Sequence, residues 1–509
     1  MVIPCSISKN AFEAYRCSVA TISLPSEYGR TLRSENEEWA VKIIPDLKVL
    51  ALKAIVDQWQ ENPIFEELPT CVDQEMLLEM LPTNLPFEMM IRRISHEYYW
   101  QRAAKDKWKH NNPNDHGDSW RRLYCERYLE EYLEALDPNY FKAQQENFEK
   151  LIALVRDYVC TLRIRSLVPT KYPFKWSGEE DEDQCTNKTY SVDHIPMGLI
   201  LPRLPFLQEL SINFGMIYMN DGFEWRDFQF SVEDCTSLGR GIKNCSLLKK
   251  FSLTRSNLDQ PRVAALLQGV VVNNRIEELD LSHCKLGDTG AHAIGEFLTI
   301  HKRLKVLKLA NNMIGSSGLA GIVYGLLQEN STPIKRLDLR LNPLQDEGGT
   351  HFCALLLRHG GLEYINVSGC GLTANTGMGM AEIIASGCMK FYSLEVDLSN
   401  NNFGPIAGEA FEVAMKTSSV IIGFDARLCN FTKESEYFIS ESVTRNKTEK
   451  KKERAKAAAA RRTTDRGPAR TVSLQVPPEY AHLQQPQRRR TVSRSVIDLA
   501  IGDFDVIVG

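Results

Sequence analysis

What the 509-residue chain lacks narrows its function before anything it contains is considered. No apolar run reaches the ~18–20 residues that a membrane-spanning helix requires. The opening Met-Val-Ile-Pro-Cys-Ser shows no basic stretch followed by an apolar one, so no secretory leader is expected. The 13 cysteines are odd in number and contain no C-x-x-C pair, which points to reduced, structural thiols in a cytosolic protein. Catalytic motifs are absent as well: there is no G-x-x-x-x-G-K-[ST], no H-E-x-x-H and no G-x-S-x-G. The histidines form no metal-ligand spacing beyond loose pairs such as His110 and His116. The reading is therefore of a non-enzyme without cofactor or metal.

What is present is a repeat. From Leu207 onward, first positions fall at Leu207, Leu248, Ile276, Leu304, Ile334, Leu362, Ser393 and Ile421, mostly 28 residues apart. Each unit follows L-x-x-L-x-L-x-x-[N/C]-x-L, the spacing of a leucine-rich repeat. The polar position runs Gly215, Ser256, Cys284, Asn312, Asn342, Cys370, Asn401 and Cys429. A single unit cannot bury its apolar face alone, so neighbouring units stack and share a core. The x-L-x-L-x stretch predicts a strand; an apolar-periodic helix follows it, as in Leu319, Ile322, Val323, Leu326 and Leu327 after Gly315-Ser-Ser-Gly318. Units of this length resemble the ribonuclease-inhibitor type of repeat, an α/β horseshoe with parallel strands on its concave side. Gly369-Cys-Gly-Leu-Thr-Ala374 matches a dinucleotide-binding fingerprint, but Cys370 and Leu372 are simply the repeat's [N/C]-x-L positions.

Four regions follow along the chain. Residues 1–35 carry no sustained period and read as a flexible N-terminus. Residues 36–195 form a helical N-terminal domain and acidic linker, the latter marked by Glu179-Glu-Asp-Glu-Asp183. Leu47, Leu50, Ala51, Ala54 and Ile55 share one helical face, and Phe148, Leu151, Ile152, Val155 and Val159 share another. Trp39, Trp59, Trp100, Trp108 and Trp120 supply bulk for a small core that caps the repeats. Residues 196–447 are the solenoid, and 448–509 read as a disordered basic tail. Between Lys447 and Arg494 there are 14 Lys/Arg and 4 Asp/Glu, against a net charge of −4 for the whole chain. Such a tail either attracts acidic surfaces such as tubulin or nucleic acid, by the same Coulomb force, or is a solvated linker with no partner; both readings are open.

Three places invite partners. In each strand the middle x points into the open bowl, which gives Ser211, Ser252, Asp280, Lys308, Asp338, Asn366, Asp397 and Asp425, with Arg336, Arg340 and Arg427 as interspersed counter-charges. L-D-L is frequent in leucine-rich repeats generally, so repeat pattern and docking surface are both open readings. An insertion in the 41-residue first step carries Phe223, Trp225, Phe228 and Phe230, which either meet a partner or fold back on the solenoid. Arg-Thr-Val-Ser occurs twice in the tail, making Ser473, Thr491 and Ser493 candidate phosphorylation sites. Phosphate there would add ~2 negative charges and weaken attraction to an acidic surface.

The N-terminal block is more selective than the repeats. Ile44-Pro-Asp-Leu-Lys-Val-Leu-Ala-Leu-Lys-Ala-Ile-Val56, Pro63-Ile-Phe-Glu-Glu-Leu-Pro69 and Leu77-Leu-Glu-Met-Leu-Pro-Thr-Asn-Leu-Pro86 resemble the dynein regulatory complex subunit 5 (t-complex-associated testis-expressed) family over about residues 36–447. The resemblance implies a non-catalytic scaffold of the nexin–dynein regulatory complex in the axoneme of motile cilia and sperm flagella. It would be partnered by other subunits of that complex and, directly or through them, by doublet microtubules, with no membrane or nucleic acid among its partners. Two other resemblances stay open. Leu68-Pro-Thr-Cys-Val-Asp-Gln-Glu-Met-Leu-Leu-Glu-Met-Leu-Pro82 is similar to an F-box opening, which implies a ubiquitin-ligase substrate adaptor. The repeat type is also that of the Ran GTPase-activating proteins, whose acidic ending contrasts with the basic tail here.

Overall fold

The computed structural model describes residues 46–168, 193–214, 230–329 and 331–464. The chain divides into two compact units, Met1–Lys447 and Thr448–Gly509. In the first unit, helices α1 (Leu47–Asp57), α2 (Cys71–Met80), α3 (Phe87–Arg93), α4 (Glu97–Lys107), α5 (Trp120–Ala135), α6 (Pro138–Ala143) and α7 (Gln145–Val155) come before the sheet. Several start where a short polar side chain satisfies an orphan N–H of the first turn. Thr70 accepts from the Asp73 amide, Ser119 from Arg122 and Asp137 from Asn139. Trp59, Trp100 and Trp108 are buried, and Trp120 packs against their core. The Trp100 indole donates to the Ile94 carbonyl at 2.9 Å, so its polar end is satisfied. Trp39 and the acidic run at 179–183 lie outside the described residues.

Two expectations for this block are corrected. Leu47, Leu50, Ala51 and Ala54 are exposed; α1 instead turns Leu52 inward, with Ile55 and Val56 half-buried. Apolar spacing selects a face, but the neighbour available decides whether that face is covered. Phe148, Ile152 and Val155 are buried as read; Val159 is buried too, but it lies beyond the end of α7, two residues before a strand.

That strand, β1 (Thr161–Ile164), is an extra repeat unit inside the block read as helical. It is followed by α8 (Met197–Ile200), β2 (Glu209–Ile212), α9 (Val232–Asn244), β3 (Lys250–Leu253), α10 (Gln260–Val272), β4 (Glu278–Asp280) and α11 (Gly287–Ile300). Next come β5 (Val306–Lys308), α12 (Ser316–Leu326), β6 (Arg336–Asp338), α13 (Gln345–Arg358), β7 (Tyr364–Asn366), α14 (Ala374–Ser386), β8 (Leu394–Asp397), α15 (Gly404–Thr417), β9 (Ile421–Asp425) and α16 (Lys433–Thr464). The strands form one parallel sheet in strict chain order, β1 to β9. This is the leucine-rich-repeat horseshoe of the ribonuclease-inhibitor kind. Leu279, Leu281, Leu307, Leu309, Leu337 and Leu339 are fully buried, one layer per unit. Helices on the outer layer meet closely: a Cβ on Gly295 of α11 would sit 2.3 Å from the Gly321 carbonyl oxygen of α12, so only glycine fits.

The [N/C] position holds the turns together. The Asn342 side chain accepts from the Asn312 and Ile314 amides at 2.9 and 3.1 Å and donates to the Leu309 and Leu339 carbonyls at 2.9 and 2.7 Å. Asn312 accepts from the Cys284 amide, and Asn401 from the Cys370 and Leu372 amides. Where cysteine stands there, its thiol donates to a preceding carbonyl: Cys284 to Leu253 at 3.0 Å, Cys370 to Leu339 at 3.3 Å and Cys429 to Leu398 at 3.1 Å. The residue just before the position is left-handed in seven units, at Arg255, His283, Asn311, Leu341, Gly369, Asn400 and Leu428.

The two ends of the sheet are finished differently. At the first edge, α5 lies along β1 and offers Glu126, Glu130 and Glu134. Their Oε1 atoms accept the outward amides of Cys160 and Thr161, of Arg163 and of Arg165, each at 2.7 Å. Four helical residues rise ~6 Å and two strand residues ~6.6 Å, so an i, i+4, i+8 ladder of carboxylates matches the alternate amides of a strand. At the last edge, Asn446 of α16 donates to the Ser418 and Ile421 carbonyls at 2.7 and 3.0 Å.

The reading of 448–509 as wholly disordered is corrected in its first part, because α16 continues to Thr464. Lys, Glu, Arg and four consecutive alanines are strong helix formers, and Lys450 pairs with Glu453 one turn on at 3.1 Å.

Candidate interaction surface

Parallel pairing places the bowl-facing residues side by side. Ser211 is registered with Ser252, Ser252 with Asp280, Asp280 with Lys308 and Lys308 with Asp338. The column goes on through Asn366 and Asp397 to Asp425, and Arg163 of β1 extends it at the other end. A second column two residues earlier holds Glu209, Lys250, Glu278, Val306, Arg336, Tyr364 and Glu395. Sequence reading missed these as a set, although they occupy the other inward x of the same x-L-x-L-x pattern.

The aspartates are not free side chains. Asp280 accepts from the Ser282 amide at 3.0 Å, Asp338 from Arg340 at 3.1 Å, Asp397 from Ser399 at 3.1 Å and Asp425 from Arg427 at 3.2 Å. Each therefore closes a turn at the end of its own strand, which explains Asp there without any partner. Asn366 does the same with the Ser368 amide and also donates to Tyr364 and Asp397. At 4 % exposure Asn366 is buried, so its candidacy as a docking residue is corrected: the Tyr364 ring and Asp397 cover it.

The charges on this face largely pair with one another. Lys308 meets Glu278 at 2.6 Å and Asp280 at 3.8 Å. Burial alone would lower the Lys308 ammonium, but the Glu278 hydrogen bond and the surrounding carboxylates outweigh it and raise it. Burial raises the Asp338 carboxyl above the ordinary carboxylate range, despite Arg340 at 3.6 Å. Arg427 clasps Asp425 and holds its carboxyl low. The Arg336 guanidinium lies 4.2 Å from the centre of the Tyr364 ring. The bowl is thus a mosaic of both signs, not the acidic stripe that the column alone suggests.

The insertion is described only at its end. Phe230 is fully buried, stacked on Phe214 at 4.5 Å and faced by Arg262, so its proposed contact with a partner is corrected to a core role. Phe223, Trp225 and Phe228, and the tail residues Ser473, Thr491 and Ser493, lie outside the described residues. Among the described residues, no three His, Cys, Asp or Glu side chains cluster to hold a metal ion. No helix among them is long and apolar enough to cross a membrane. The ten described cysteines are all free thiols. Burial pushes Cys284 and Cys370 up to about 12, which suits packing and not reactivity. In the F-box-like segment, Leu77, Leu78 and Leu81 are buried in the helical block's own core.

The class of protein is set by this geometry: a leucine-rich-repeat platform whose inner face is polar. A family model described as Leucine Rich repeat matches residues 272–295 and 330–353. The chain is similar to mouse Dynein regulatory complex subunit 5, with 35% identity over 268 residues, covering 52% of this chain and 53% of that protein. It is also similar to the protein of the same name from Chlamydomonas reinhardtii, with 25% identity over 44% of this chain and 51% of that one. Mouse ribonuclease inhibitor is 24% identical over 28% of the chain and 38% of its own length. The chain spans about half the length of the curated subunit 5 relatives it matches. The resemblance read from the sequence is thus borne out, over a shorter span than residues 36–447.

Proposed function

We propose that this protein is a non-catalytic scaffold of the nexin–dynein regulatory complex, located in the axoneme of motile cilia and sperm flagella. There it would help hold the link between doublet microtubules and regulate dynein-driven sliding. The observation that carries this reading is the similarity to mouse Dynein regulatory complex subunit 5, 35% over 268 residues, in a chain whose fold is a docking platform. Its partners are the other subunits of that complex and, directly or through them, the doublet microtubules. Membranes and nucleic acid are not among them. The inner face gives specificity by matching charges of both signs, and the basic residues after Lys447 add a salt-sensitive attraction.

The test is salt extraction of axonemes carrying tagged full-length variants, followed by blotting of the pellet. Replacing Asp280, Asp338, Asp397 and Asp425 together by Asn keeps the side-chain oxygen that closes each turn while removing four charges. Retention of this variant is expected to fall at physiological salt, where exposed charges beyond ~8–10 Å are already screened. Wild-type retention would reject the inner face as the docking surface. Copurification with a ubiquitin ligase's linker subunit in place of axonemal subunits, or acceleration of GTP hydrolysis by Ran, would overturn the scaffold reading itself.

A further inference from the structure

We infer that the outer edge of β9 is a docking site for an extended, Lys/Arg-rich segment of a partner protein, which pairs with the sheet as an added strand. Each strand hands its outward amides to the next one: Leu339 donates to the Asn366 carbonyl, Val367 to Asp397 and Leu398 to Asp425, and one step further Asn400 donates to Arg427. In the last unit the equivalent donors are Ala426 and Leu428, and among the described residues no tenth strand follows. Among the described residues nothing accepts from either amide. The contrast with the opposite edge is what makes this informative. There a ladder of three glutamates takes the free amides of β1, the kind of cover that blunts a sheet edge. Here α16 caps only the start of β9, through Asn446 on the Ile421 carbonyl.

Beyond that contact α16 and β9 stand apart and bound a groove of about 650 Å³. Phe424, Ile439 and Val443 line it, which suits the alternate side chains of a bound strand. The polar lining carries Glu395, Asp397, Asp425 and Glu436, against a single cation, Arg427, already clasped by Asp425. A segment presenting Lys or Arg is the charge match, and an acidic one would be repelled. The inference stands on the edge itself and does not depend on the axonemal reading.

Binding of a fluorescein-labelled peptide of alternating Val and Lys, about eight residues long to span the open edge, to the full-length protein tests it. The peptide is expected to bind and to slow hydrogen exchange across 422–428. The same peptide with Glu for Lys, or with alternate backbone amides methylated, is expected to lose binding. Glu395→Gln with Glu436→Gln, both on accessible side chains, should weaken affinity about threefold to tenfold, the scale of exposed ion pairs. Equal binding of the Glu peptide, full binding of the methylated one, or protection appearing away from 422–428 would each overturn the proposal.

Discussion

Asparagine at the [N/C] position does more than cysteine can. Asn342 supplies a strong acceptor to two buried amides as well as donors to two carbonyls, whereas a thiol is a weak donor and a weak acceptor. Asn342→Ala leaves both amides unpaired at ~1–3 kcal/mol each, so a loss of roughly 3–5 kcal/mol in denaturant unfolding is expected. Asn342→Cys should fall between wild type and Ala, since it restores one donor. The buried Glu130 gives a second test at this scale. Burial pushes its carboxyl up to about 8, with Glu126 adding to the rise, while the Arg163 amide bond opposes it. With the folded value above the unfolded one, the folded state holds the extra proton between them, so stability falls as pH rises from about 4.5 to 8. Glu130→Gln keeps an oxygen for the Arg163 amide. Its unfolding free energy should lack that downward slope and exceed wild type by roughly 2–4 kcal/mol near pH 8. An unchanged pH profile would show that Glu130 does not titrate in this window.

Among the elements, α5 is decisive because it substitutes for a missing strand. Glu126 is fully buried, takes the Cys160 and Thr161 amides and Arg122, and pairs with His116. Glu126→Ala strands all of these partners. The expected cost is about 3–5 kcal/mol, the range for breaking a buried charge pair, with faster hydrogen exchange at 160–165 before any change in the outer repeats. Uniform acceleration over the whole sheet would instead mean that the edge is not a separate weak point. The exposed face of α1 and the helical run of α16 past Lys447 show the same lesson from opposite sides. Periodicity finds a helix but not its burial, and a basic composition does not by itself make a segment irregular.

For the unit as a whole, stacked repeats touch mainly their neighbours, so damage should travel by adjacency. Leu339, just after β6, is fully buried and its amide donates to the Asn366 carbonyl of β7. Leu339→Asp places an unpaired charge there at a cost of several kcal/mol. Limited proteolysis is expected to open 304–400 first and the helices before β1 last. Simultaneous loss of both regions would show that the helical block and the solenoid fold as one cooperative body.

Local pattern alone settled the repeat. Strand and helix periods and the [N/C] turn are encoded within about 28 residues, and the aspartate that ends a strand bonds an amide two residues away. The extra unit at β1 was also written locally, in Val159-x-x-Leu162-x-Ile164, but its [N/C] position holds Leu167 and the next unit begins only at Leu207. Which apolar residues are spent internally was decided by tertiary contact. Phe230 vanished into a stack with Phe214, Asn366 was covered by its neighbours, and α1 kept its apolar face in solvent. The finish of each sheet edge was equally invisible to periodicity. It rests on side chains 31–35 residues away along the chain at β1, and, among the described residues, on the absence of a following strand at β9. Spacing within a repeat reports the short-range geometry of backbone and side chain; only folding brings the distant groups that satisfy, or leave unsatisfied, the outermost hydrogen bonds.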